Sequence, residues 1–102
     1  MTEVNPVKDL ADCQYTNTSR LIYKGPCKVE SAHIAGDGAN GDCQIYDGEN
    51  ALGELKAHLE VLSGTTFRWQ PGSGVLFQYG IYIVVNAATT KVTVTYKPLK
   101  SG

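Results

Sequence analysis

The 102-residue chain contains only two arginines, two histidines, one methionine and one tryptophan, and its nine Lys/Arg are offset by ten Asp/Glu for a net charge of −1. Neutralising a phosphate backbone takes a surplus of cationic side chains, so this balance argues against nucleic acid as a partner. Long apolar runs are also missing. The longest, Ile81 to Val85, falls far short of the about 20 residues that a membrane-spanning helix needs, so no membrane role is expected. No GxSxG elbow and no CxxC pair occurs, which removes the commonest nucleophile turn and the zinc ribbon. Cys13, Cys27 and Cys43 are odd in number and lie 14 and 16 residues apart, a spacing that predicts free thiols rather than a disulfide framework. A Cys27 to Cys43 bridge across neighbouring strands is the alternative. The opening Met1-Thr2-Glu3 has neither a basic nor an apolar signal region, which sets the expectation of cytoplasmic synthesis.

What the chain does contain is strand-forming residues. Nine Val, five Ile, nine Thr, six Tyr, two Phe and one Trp make up 32 of the 102 positions, and eleven glycines punctuate them. A length of 102 residues fits one domain with one core. Residues 1–19 show no sustained period and read as an N-terminal arm, with Val4, Pro6, Val7 and Leu10 as its anchoring positions. From residue 20 to 102 strand signals recur at short intervals: Arg20 to Lys24, Pro26 to Ala35, Gln44 to Asp47, Thr66 to Gln70, Val75 to Tyr79, Ile81 to Asn86 and Lys91 to Lys97.

Gly53 to Leu62 is open to two readings. Leu52, Leu55, Leu59 and Leu62 fit a helical face, whereas Leu55, Ala57, Leu59 and Val61 alternate with Glu54, Lys56, His58 and Glu60 at the period of a strand. The strand is preferred, because a lone helix would have to sit outside a sandwich. Eight strands then predict an all-β, two-sheet antiparallel β-sandwich, jelly-roll-like or immunoglobulin-like, with an extended N-terminal arm. Gly74 to Asn86 is apolar on both faces, so something must cover its outer side, and Tyr79 and Tyr82 become candidate partner-interface residues.

Candidate chemical motifs mostly dissolve on inspection. Gly36-Asp37-Gly38-Ala39-Asn40-Gly41 matches GxGxxG, but a strand follows where a phosphate-binding helix would have to open, so a hairpin loop is expected. Asp37, Asn40, Asp42 and Asp47 do not alternate as a calcium loop requires and read as turn formers. His33, mid-strand, reads as half-buried or interfacial, and His58 as solvent-facing. Asn17-Thr18-Ser19 matches the glycosylation sequon only by coincidence in a chain made in the cytoplasm. Phe67 and Trp69 share one face of a short strand and suit a core-facing aromatic pair. With Phe77, Tyr79 and Tyr82 they could instead form a sugar-stacking platform. No enzyme, cofactor or metal site is expected from this inventory.

The strand pattern itself is more telling. Gly25-Pro26-Cys27-Lys28-Val29-Glu30-Ser31-Ala32-His33-Ile34, Cys43-Gln44-Ile45-Tyr46-Asp47-Gly48, Phe77-Gln78-Tyr79-Gly80-Ile81-Tyr82 and Val92-Thr93-Val94-Thr95-Tyr96 follow one another in an order that resembles small β-sandwich virion proteins of tailed bacteriophages. The resemblance spans about residues 20 to 97 and carries no catalytic constellation. It implies a capsid decoration or cement protein on the surface of the virion, made in the host cytoplasm, with the major capsid protein and two further copies of itself as partners. A neck or tail component, or a carbohydrate-binding module, is the alternative.

Overall fold

The computed structural model describes residues 12–99, which form two antiparallel sheets packed as a β-sandwich. Among the described residues nine strands follow in order: β1 (Asp12–Thr16), β2 (Arg20–Lys24), β3 (Cys27–Gly36), β4 (Gly41–Asp47), β5 (Glu54–Val61), β6 (Thr66–Trp69), β7 (Val75–Phe77), β8 (Gly80–Val85) and β9 (Thr90–Pro98). The five-stranded sheet runs β1-β9-β3-β6, with β7 also on β3, and the four-stranded sheet runs β2-β8-β4-β5. Strand β3 is long enough to hold β7 along Cys27 to Val29 and β6 along Ala32 to Ala35 on the same edge.

Eight of these strands are those expected from alternation, and 53–62 is the strand rather than the helix. The ninth, β1, falls in the stretch assigned to the arm, where Asp12 to Thr16 pairs in register with Tyr96 to Val92. Short polar strands such as Asp-Cys-Gln-Tyr-Thr carry too little apolar signal to be read locally, and it is the exposed edge of β9 that recruits this one. The proposed arm anchors Val4, Pro6, Val7 and Leu10 lie outside the described residues.

The core is what alternation supplies from both inner faces. Val29, Ala32 and Ile34 of β3 and Val92, Val94 and Tyr96 of β9 meet Cys43 and Ile45 of β4 and Ile81 and Ile83 of β8. Phe77, fully buried, fills one end, and the tilted ring pair Tyr23–Tyr96, 5.2 Å between centroids, joins the sheets nearby. The Asp37 to Asn40 turn is not a hairpin. It carries the chain from β3 in one sheet to β4 in the other, so Gly36 and Gly41 turn between layers; a Cβ on Gly36 would stand 2.6 Å from the Ala39 carbonyl oxygen. The same crossing puts Cys27 and Cys43 on different sheets rather than on neighbouring strands of one, and both thiols are free.

One bulge changes which residues reach solvent. In the β4–β5 ladder Ile45 pairs with Ala57 but Tyr46 pairs with Leu55, leaving Lys56 unpaired. A one-residue slip reverses the faces of everything beyond it. Leu55, expected inside with Ala57, Leu59 and Val61, is therefore turned out and 48% exposed, while Lys56 turns in until its Nζ lies 6.0 Å from the Phe77 ring centroid.

Candidate functional site

The two lateral sides of the sandwich differ. On one, Arg20 of β2 reaches across to β1, donating from Nε to Thr16 Oγ1 (3.2 Å) and from its terminal amino group to Gln14 Oε1 (3.2 Å) and the Tyr15 carbonyl (3.1 Å). These bonds stitch the edge strands of the two sheets together. On the other side β5 and β6 are the edges, and no equivalent staple joins them among the described residues. Trp69 and Phe67 pair with the inward-facing Ala32 and Ile34, so both rings point between the sheets as expected. The correction concerns burial. Trp69 is half-buried and Phe67 is 47% exposed, because at an open edge there is nothing beyond β5 to cover them. Together with Ala57, Leu59 and the charged Lys56, His58 and Glu60 they line an open cleft of about 440 Å³.

The outer face of the four-stranded sheet holds a second feature. Registers place Leu21 opposite Tyr82, Tyr82 opposite Tyr46, and Tyr46 opposite Leu55. One apolar and aromatic row thus crosses all four strands on the solvent side. Tyr82 is half-buried within it. Tyr79, the other candidate interface residue, is 64% exposed at the corner between β7 and β8 and does not join the row. The outer surface of the other sheet exposes Tyr15 and Leu76, each at 52%. His33, expected to be half-buried or interfacial, is exposed there opposite Thr93 and Arg68, so the half-buried alternative falls.

The residues considered for calcium are dispersed. Asp37 is ion-paired with Lys91 Nζ at 2.6 Å, which holds its carboxyl below the usual carboxylate range by hydrogen bonding and charge. Asn40 Oδ1 accepts the Ser63 N–H, and Asp47 is buried against backbone amides. Only Asp42 faces solvent beside another ligating side chain, His58 of the neighbouring strand, at 2.9 Å.

Burial pushes the thiols of Cys27 and Cys43 up to about 12, so at neutral pH each is a protonated apolar side chain and neither is an activated nucleophile. Neither lies beside a histidine suited to deprotonate it, because His33 and His58 both point away from the core. No family model matches this chain, and no curated protein or solved structure matches it either.

Proposed function

We propose that this protein is a structural component of a tailed-phage virion, a decoration or cement protein that binds the assembled capsid shell. The observation that carries this reading is the Leu21, Tyr82, Tyr46, Leu55 row on the outer face of the four-stranded sheet. An apolar stripe directed at solvent across a whole sheet is suited to being covered by another protein surface, and Leu55 at its end is 48% exposed. The sequence resemblance supplies the kind of partner: capsomers of the shell and sister subunits. Binding only the assembled state would stabilise the shell by linkage.

Co-sedimentation of the full chain with purified heads of the encoding phage tests this reading, with light scattering of the free protein alongside. A species of about 33 kDa, three times 11.0 kDa, is expected, together with saturable binding to heads that Leu55→Glu and Tyr82→Glu abolish. Heads that take up none of the folded wild-type protein would overturn it.

One specific observation favours a second reading, a carbohydrate-binding module. The open β5–β6 side presents Phe67 and Trp69 two residues apart on one face, with Lys56, His58 and Glu60 at the rim, and such spacing lets two rings stack on successive sugar faces. Quenching of the single tryptophan by oligosaccharides, lost in Phe67→Ala, would support it. An unchanged spectrum across a panel of neutral and acidic oligosaccharides would remove it.

A further inference from the structure

We propose that Asp42, His58 and Glu60 form a surface site for a divalent transition-metal ion of the zinc type. Register brings them together: Asp42 and Glu60 are direct partners across the β4–β5 ladder, and His58 stands two residues before Glu60 on the same outward face. One ligand atom from each lies within 4.8 Å of the other two, with His58 Nε2 at 2.9 Å from Asp42 Oδ1 and 3.7 Å from Glu60 Oε2. Tetrahedral bonds of about 2.0 to 2.2 Å place ligand atoms about 3.3 to 3.6 Å apart, so small side-chain rotations suffice to bring the three donors to a single ion.

Charge points the same way. Two carboxylates directly opposite one another across a ladder repel. Among the described residues the salt-bridge partner of both is His58 alone; Lys56 pairs instead with Glu54 and Lys91 with Asp37. A divalent cation between the carboxylates relieves that repulsion. One imidazole nitrogen with two carboxylate oxygens is a donor set of intermediate softness, which suits Zn²⁺ and its first-row neighbours better than Ca²⁺ or Mg²⁺, whose sites are all oxygen. The side chains of His58, Asp42 and Glu60 are 41%, 36% and 70% exposed, and a recess of about 310 Å³ bordered by Asn40 and Asn86 adjoins Asp42 and Glu60. The remaining coordination positions therefore face solvent, where water or a donor from a second molecule can occupy them. This assignment is independent of the assembly reading.

Calorimetric titration of ZnCl₂ into the full chain without a polyhistidine tag, in a Cys13→Ser background that removes the exposed thiol, tests it. One equivalent is expected to bind. Changes outside the ligand set cost about 10- to 100-fold at established sites, so His58→Ala and Asp42→Asn are each expected to weaken binding by at least about tenfold, with His33→Ala unchanged. Nitrogen NMR of the wild-type protein gives a readout that needs no ligand variant: Zn²⁺ should shift the His58 ring nitrogens and leave those of His33 in place. Binding that survives His58→Ala, an unmoved His58 resonance at saturating Zn²⁺, or CaCl₂ binding as tight as ZnCl₂ would overturn the proposal.

Discussion

The carboxylate of Asp47 accepts the backbone N–H of Tyr79 at 2.9 Å, and its second oxygen accepts that of Gln78 at 3.0 Å. The chain crosses between sheets at this corner, from β7 in one to β8 in the other, where two amides would be left without strand partners. Asp47 ends β4 and supplies both acceptors, while the Gly48 N–H donates to the Gly80 carbonyl at 3.2 Å. The Ile45-Tyr46-Asp47-Gly48 and Phe77-Gln78-Tyr79-Gly80 segments, 31 residues apart at Asp47 and Gln78, are thereby one structural unit.

Removing this carboxylate should be costly. Asp47→Ala strands two amide donors at a buried residue and is expected to lower unfolding stability by about 3 kcal/mol. Asp47→Asn keeps one acceptor and should cost less. Urea denaturation of both variants checks the order, and equal losses would show that the hydrogen bonds are not the cause.

Gly80 meets the same corner from the other side. It has φ of +153°, and a Cβ there would lie 2.6 Å from the Tyr23 carbonyl oxygen, a backbone atom that cannot swing away. Gly80→Ala should therefore destabilise by about 2 kcal/mol, whereas Gly38→Ala, with nothing within 4 Å, meets only the cost of its positive φ. Thermal melts of the pair should rank in that order.

Thiol chemistry should separate the cysteines. Ellman's reagent is expected to react promptly with one thiol of the native protein, the exposed Cys13, and with three after denaturation. For Cys27 and Cys43 the folded state raises the pKa, from an ordinary 9.0 to about 12, so it retains protons that the unfolded chain releases. Their contribution is whole below pH 9 and should be lost progressively as pH rises toward 12. Cys27→Ala and Cys43→Ala should flatten that alkaline slope, at the expense of some core packing.

Asp37 should behave in the opposite sense. Lys91 lowers its pKa in the folded state, so any stability from the pair is present above the ordinary carboxylate range and is lost as pH falls through the lowered value. Both groups are on the surface, and salt should screen much of the effect. In carboxyl NMR titrations Asp37 is expected to titrate below an ordinary aspartate, and Lys91→Met should move it upward. An unmoved midpoint would mean that the ion pair does not persist in solution.

How far the structure was legible from sequence differs from residue to residue. Val92, Val94 and Tyr96 alternate with threonines and lysines, and all three are buried, because an antiparallel strand wet on one face has to repeat every two residues. The same rule applied to Leu55 fails, since the bulge at Lys56 depends on pairing with β4 and leaves no local mark. Phe67 fails differently. Its direction was readable from alternation, but its exposure depends on β6 being a sheet edge, a property of strand order. Asp42 and His58 are 16 residues apart and show no metal-ligand spacing, so only the β4–β5 register reveals their proximity.

Local physics written in the chain determined the existence and type of eight of the nine described strands, and the inner face of those with clean alternation such as β9, because alternation and glycine-bearing turns act over a few residues. Tertiary structure alone decided which sheet each strand joined, where the ladders slip, and which charged and aromatic side chains share a surface. Those outcomes follow from pairings between residues far apart in sequence, where the hydrogen-bonding edge of one strand selects its partner from the whole chain.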